Sequence, residues 1–295
     1  MFPNPKPFFD QPPFSGQQRN RNLRLSAERY PDRLVDVRHA KRVMQRIVMP
    51  ADGSWAYAEN QKSATTSTYA ALYELTFGVK LSAHMDENIA DWADQSPQNL
   101  DKAQVFYQLA QFENSIEALD KAFRFSVIRN PVERAASSFH FICFTQKKSL
   151  RQFYADRVRM NVLGFDWDND PYTQTGFSKF LHYVEQEAAM VRTAGRLADP
   201  HFRPQAMNMS LELLDPHLVF RVDDLAEGLD TLAHNLGRPA LAQETSQARL
   251  NAQPERQTYT SEMALIERVY ADDFEIYESA SLQLRKDWTI PNRAL

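Results

Sequence analysis

The residues best suited to chemistry stand in two short stretches. The first is Glu59-Asn60-Gln61-Lys62-Ser63-Ala64-Thr65-Thr66-Ser67, where a cation and several hydroxyls precede a segment with helical spacing. Backbone N–H groups at a helix start, together with the positive end of the helix dipole, favour an anion. Lys62 adds a full charge, and Thr65, Thr66 and Ser67 add hydroxyl donors. Composition alone equally allows a solvated loop with a cluster of helix caps. A kinase-type phosphate loop needs G-x-x-x-x-G-K-S/T. Lys62-Ser63 matches its last pair, but both glycines are absent and Gln61 directly precedes the lysine. Such a loop cannot wrap a triphosphate, yet it can hold one phosphate and touch one leaving group. The second stretch runs from Arg129 to Ser137. A ligand bridging the two stretches would find a second anion site there, with Arg129 as charge and Ser137 as hydroxyl. Taken singly, each also reads as a structural arginine and a helix-surface serine.

Positioning these residues requires strands that end where they begin. Trp55 to Glu59 is short, apolar and aromatic and reads as a buried strand. After the polar loop, Tyr69, Leu72, Tyr73 and Leu75 mark a helix that stops at Gly78. The order then repeats: Phe123–Ile128 is a strand, Arg129-Asn130-Pro131 a turn, and Val132–Phe144 a helix with proline in its first turn. Two strand-to-helix units predict an α/β fold, a P-loop-like parallel sheet flanked by helices, with a helix-rich C-terminal half. Ligands of such sheets bind at the carboxyl ends of the strands. Leu218–Val222 is a third strand, followed by an amphipathic helix over Asp224–Leu236. Asp86–Leu119 reads as mostly helical, and residues 150–198 as helices broken near Gly164 and Pro171. Gln243–Thr258 is a polar loop, and Ser261–Leu284 is expected as one long helix.

The whole chain limits what these elements can do. Its 295 residues are 43% hydrophobic, enough for a sizeable core. A net charge of −4 excludes a chain-wide basic field for nucleic acid. Any anion must be held locally. Cys143 is the single cysteine, so no internal disulfide forms, and a cytoplasmic location is expected. No run of residues is apolar enough to span a bilayer. Pro3, Pro5, Pro7, Pro12 and Pro13 exclude a helix at the N-terminus. An extended or disordered arm is therefore expected over residues 1–25, leaving 26–295 as a single domain.

Both stretches resemble a known family. Asn60 to Ser67, followed by Phe125-Ser126-Val127-Ile128-Arg129-Asn130-Pro131-Val132-Glu133-Arg134 and Ser137, is similar to the carbohydrate sulfotransferases. The likeness is to the chondroitin 4-O- and heparan sulfate 2-O-sulfotransferases and their bacterial relatives. Three later pieces match in order: His201-Phe202-Arg203-Pro204-Gln205, Phe220-Arg221-Val222-Asp223-Asp224-Leu225 and Tyr270-Ala271-Asp272-Asp273-Phe274-Glu275. Two positions depart from the family pattern, Gln61 where proline is frequent and Asn130 where an acid is frequent.

The resemblance implies a donor, 3′-phosphoadenosine 5′-phosphosulfate, and a hydroxyl acceptor, expected on the same grounds to be a carbohydrate. Residues Gln61, Lys62, Ser63, Ala64, Thr65, Thr66 and Ser67 would then bind the 5′-phosphosulfate, and Arg129 with Ser137 the 3′-phosphate. Lys62 would neutralise the departing phosphate oxygen. The acceptor hydroxyl needs a general base. His84, after the first helix, is the first candidate, because the family carries a histidine in this stretch. His201 follows as a base or a substrate-binding residue, then Glu59 and His140. No metal is required, and no cluster has metal-ligand spacing. The alternatives are a P-loop-type small-molecule kinase and a nucleotide-binding protein without catalysis.

Overall fold

The computed structural model describes residues 15–82, 100, 103–148, 153–194, 199–238, 240–241 and 259–286. Five strands form one sheet: β1 Ile47–Met49, β2 Trp55–Ala58, β3 Tyr107–Gln108, β4 Phe123–Ile128 and β5 Leu218–Arg221. Their order across the sheet is β3-β1-β2-β4-β5. β2 and β4 run parallel with Trp55 opposite Phe123 and Ala58 opposite Ser126. β4 and β5 are also parallel, with Ile128 opposite Arg221. β1 pairs antiparallel with both β2 and β3. The expected parallel α/β sheet is thus present at its centre, with an antiparallel extension at one edge. β1 and β3 are too short to show periodicity, and so part of the stretch expected to be helical, Tyr107–Gln108, is a strand.

β4 is buried at every residue, as a central parallel strand must be. Alternation then sorts side chains to the two faces. Trp55, Tyr57, Phe123, Phe125 and Phe220 pack on one face with Tyr69 and Leu72 of α3 Thr65–Phe77 and Leu229 and Leu232 of α10 Leu225–Asn235. On the other, Ala56 and Ala58 are small enough to admit Leu23, Ala40 and Met44 from α1 Gly16–Arg29 and α2 Val37–Met44. Helix α4 Ser115–Lys121 leads into β4. A third, aromatic core joins α5 Pro131–Lys148, α6 Tyr154–Val162, α7 Gln174–Ala194 and α11 Met263–Val269 around Phe139, Phe177, Phe180 and Tyr259. The short α8 Gln205–Met209 and α9 Leu211–Leu214 precede β5, and α12 Ala271–Ser279 follows α11.

Two further expectations are corrected. The N-terminal arm cannot extend to residue 25, because Ser15 caps α1 by accepting from Gln18 N at 3.1 Å. The N-terminal proline cluster ends at Pro13, and no proline falls between Ser15 and Tyr30 to prevent a helix; residues 1–14 lie outside the described ones. The long C-terminal helix is broken at Tyr270 (φ −119°, ψ 31°) and ends at Ser279. The break lets the Tyr270 hydroxyl donate to Phe202 O at 2.9 Å and turns Asp273 into the interior. The polar stretch 243–258 lies outside the described residues. Among the described residues no helix is long and apolar enough to cross a membrane.

Candidate active site at the strand ends

The loop 59–64 leaves the carboxyl end of β2 and enters α3. Its shape rests on two non-glycine residues in the left-handed region, Lys62 at φ 68° and Ala64 at φ 56°. Each costs roughly 1–2 kcal/mol and must be held by neighbours. The neighbours are visible. Thr65 Oγ1 donates to Asn60 O at 2.8 Å, and Ser63 N closes a turn onto the same carbonyl at 3.2 Å. Arg134 Nε donates to Gln61 O at 3.0 Å, and Arg129 Nη1 to Lys62 O at 3.4 Å. The first i→i−4 bond of α3 runs from Thr68 N to Ala64 O, so the amides of Thr65, Thr66 and Ser67 form its first turn. Gln61, Ser63, Thr65, Thr66 and Ser67 are all buried, and Lys62 is half-buried. Lys62 Nζ lies 4.0 Å from the centroid of the Phe141 ring.

At the end of β4, Arg129 pairs with Glu133 one helical turn ahead, at 3.1 Å. Asn130, one of the two departures from the family pattern, caps α5: its Oδ1 accepts from Val132 N at 3.0 Å and Glu133 N at 3.3 Å. An aspartate would do the same, which explains why the exchange is tolerated. Ser137 is 1% exposed, and its Oγ has no hydrogen-bond partner among the described residues. A buried hydroxyl left unpaired is uncommon and calls for an explanation.

His201 also reaches the site. Its ring centroid is 5.1 Å from that of Phe141, the ring against which Lys62 lies. Nδ1 is 2.6 Å from Asp199 Oδ1. Burial pushes the imidazole below the ordinary histidine value; Asp199 opposes this, and the charges of Lys62 and Arg46 add to it. Burial also pushes the Asp199 carboxyl up, but its bonds to His201 and the nearby cations outweigh that and hold it below the usual carboxylate range. Two of the other base candidates are engaged by neighbours. Glu59 accepts from the Tyr69 hydroxyl and pairs with Arg46 at 3.2 Å. His140 Nε2 lies 2.9 Å from the Tyr259 hydroxyl within the aromatic core. His84 falls outside the described residues.

Four residues of the site were not singled out for a role by the sequence. Gln205 is wholly buried between the two loops. Its Oε1 accepts from Asn60 Nδ2 and Ser63 Oγ, both at 2.8 Å, and from Arg129 N at 3.0 Å; its Nε2 donates to Arg129 O at 2.8 Å. Arg134, fully buried, donates to three carbonyls, those of Gln61, Pro200 and Arg203. Asp273 accepts from Gln205 N and Ala206 N, both at 2.8 Å, and its charge faces Arg134. Asp199 orients His201. Three of them, Arg134, Gln205 and Asp273, lie within the family-like motifs, but a buried polar partner leaves no periodicity to read.

A sheet with a parallel centre, whose adjacent strand ends carry a lysine-bearing loop and an arginine turn, is an α/β arrangement whose chemistry suits a phosphate-like anion. The sulfotransferase family model matches residues 45–278, which include both loops and all three later motifs. The chain therefore belongs to the sulfotransferase family and is a sulfotransferase. Comparison with curated proteins and with solved structures returned no match.

Proposed function

We propose that the protein transfers a sulfuryl group from 3′-phosphoadenosine 5′-phosphosulfate to a hydroxyl, on a carbohydrate acceptor. The observation that carries this reading is the junction of two anion loops, linked by the bond from Arg129 to Lys62 O and by Gln205. Two such loops suit a donor with two separate phosphate groups. The amides of 61–67 take the 5′-phosphosulfate, while the hydroxyls of Ser63 and Thr65 hold the loop in shape. Arg129 and the unpaired hydroxyl of Ser137 take the 3′-phosphate. The order of the five sequence motifs supports a sugar hydroxyl as the acceptor.

In the reaction the acceptor oxygen attacks sulfur, the bond from sulfur to the bridging oxygen breaks, and the phosphate leaves with the electron pair. Lys62 counters the charge that grows there, which lowers the barrier rather than only the binding energy. The acceptor proton passes to a base. The sequence points first to His84. Within the described residues His201 has a geometry that suits a base. Nδ1–H donated to Asp199 leaves Nε2 with its lone pair, and the imidazole packs on the same Phe141 ring that holds Lys62.

Donor binding gives the direct test. A ligand that binds only the folded state raises stability by mass action. 3′-Phosphoadenosine 5′-phosphate should raise the melting temperature clearly and ATP little. Equal shifts would remove the two-phosphate reading.

A further inference from the structure

We infer that Gln205 is the positioning residue that fixes the spacing of the two anion loops and thereby makes the protein select a nucleotide phosphorylated at both ends. The inference rests on the donor reading above. Gln205 is buried and both ends of its amide are taken up by protein groups, so it is not left to meet a ligand. Its one amide joins Asn60 and Ser63 of the first loop to both backbone groups of Arg129 at the second. The amide is anchored from behind. Gln205 N and Ala206 N donate to the two oxygens of Asp273, whose charge faces the buried Arg134, and Arg134 in turn holds Gln61 O. With the charges of Asp273 and Arg134 facing each other the network closes on itself, and moving the loops apart would break the buried Gln205 bonds to Asn60, Ser63 and Arg129 at once.

Fixed spacing acts on selectivity more than on affinity in general. Once one phosphate is bound, the second binds as an intramolecular event whose strength depends on how well the two sites match the ligand's span. If the loops move independently, a single phosphate still finds its loop, but the second loses its pre-set partner.

The test compares the dissociation constants of 3′-phosphoadenosine 5′-phosphate and adenosine 5′-phosphate, by calorimetry, for the full chain and two variants. Gln205→Met removes the amide at similar volume. Gln205→Asn keeps an amide one methylene too short to span the loops, and it serves if the methionine variant does not fold. The full chain should prefer the bisphosphate strongly. Each folded variant should lose about tenfold of that preference, mostly through weaker bisphosphate binding. A general loosening of the fold would weaken both ligands alike and leave the ratio unchanged; that result, or an unchanged ratio with unchanged affinities, overturns the inference while the donor reading stands. A full chain with no preference for the bisphosphate overturns the donor reading, and the inference with it.

Discussion

Lys62 illustrates how much one residue asks of its surroundings. Its backbone is left-handed, its carbonyl is engaged by Arg129, and its ammonium lies on Phe141. A cation resting on an aromatic face is held there partly out of water, which suits the charge-countering role proposed for it. Lys62→Ala should keep the fold and much of the bisphosphate affinity. Its turnover should fall by on the order of 3–4 kcal/mol, a hundred- to a thousandfold. Lys62→Arg should rescue only part, since a planar fork does not replace a compact ammonium. Turnover of labelled donor, measured beside bisphosphate affinity, checks both; near-normal turnover in the alanine variant would remove Lys62 from the mechanism. His201 and Asp199 make a second pair of predictions. His201→Ala should lose about a hundred- to ten-thousandfold in turnover with bisphosphate binding intact. The groups facing His201 are Asp199, Lys62 and Arg46. Asp199→Asn removes the anion among them, so the imidazole should protonate less readily. The acidic limb of the rate profile should move to lower pH as the plateau falls. A full rate for His201→Ala returns the base to His84.

At the level of the elements, each loop is made by a strand that stops and a helix that starts. β4 ends at Ile128, Asn130 caps α5, and Ser137 follows two turns along, buried and unpaired. A hydroxyl with no partner contributes nothing to the fold that its removal would take away. Ser137→Ala should therefore leave the unfolding free energy unchanged or slightly raised. The same change should weaken 3′-phosphoadenosine 5′-phosphate several-fold and adenosine 5′-phosphate not at all. Chemical denaturation and calorimetry on one preparation check both halves. A destabilised variant with unaltered binding would make the serine structural.

Across the whole molecule, buried ionisable groups tie stability to pH. His217 joins β5 to β4: its Nδ1 accepts from Arg124 N at 3.0 Å, which requires an unprotonated nitrogen. Burial, aided by the Arg124 charge, pushes its pKa down to about 4. An unfolded histidine takes up its proton near 6.5. Acid thus favours the unfolded chain across that window. The contribution is complete above about 6.5 and is lost as the pH falls towards 4, on the order of 2 kcal/mol in all. Asp273 acts with the opposite sign, because burial raises its carboxyl to about 6 and the folded chain then binds its proton first. Comparing the wild type with His217→Asn, whose side-chain oxygen can replace Nδ1 as acceptor, cancels that second contribution. Urea unfolding at several pH values should show a smaller loss between pH 6.5 and 4.5 in the variant. Parallel curves for the two proteins would deny His217 this role.

What the sequence determined by itself was local. Short runs rich in aromatic and β-branched residues marked β2, β4 and β5, even though β4 carries Arg124 and Ser126. Pro131, Gly78 and the hydroxyl-rich stretch after Glu59 marked where helices begin and end. Those same local signals placed Lys62 and Arg129 just past strand ends and Ser137 two turns along the helix that follows. Three things came only from the folded chain. β1 and β3 are too short to carry a period, so the antiparallel edge was invisible. The helix expected over Ser261–Leu284 broke at Tyr270 because a distant carbonyl, Phe202 O, and the buried pair Arg134 and Asp273 reward the break. And Gln205, Arg134, Asp199 and Asp273 act through partners that the fold, not the local pattern, supplies. Gln205 meets Asn60, 145 positions away, and Arg129, 76 away. No pattern within either segment can announce such a meeting, because it depends on how the sheet brings β2, β4 and the turn before α8 to one edge.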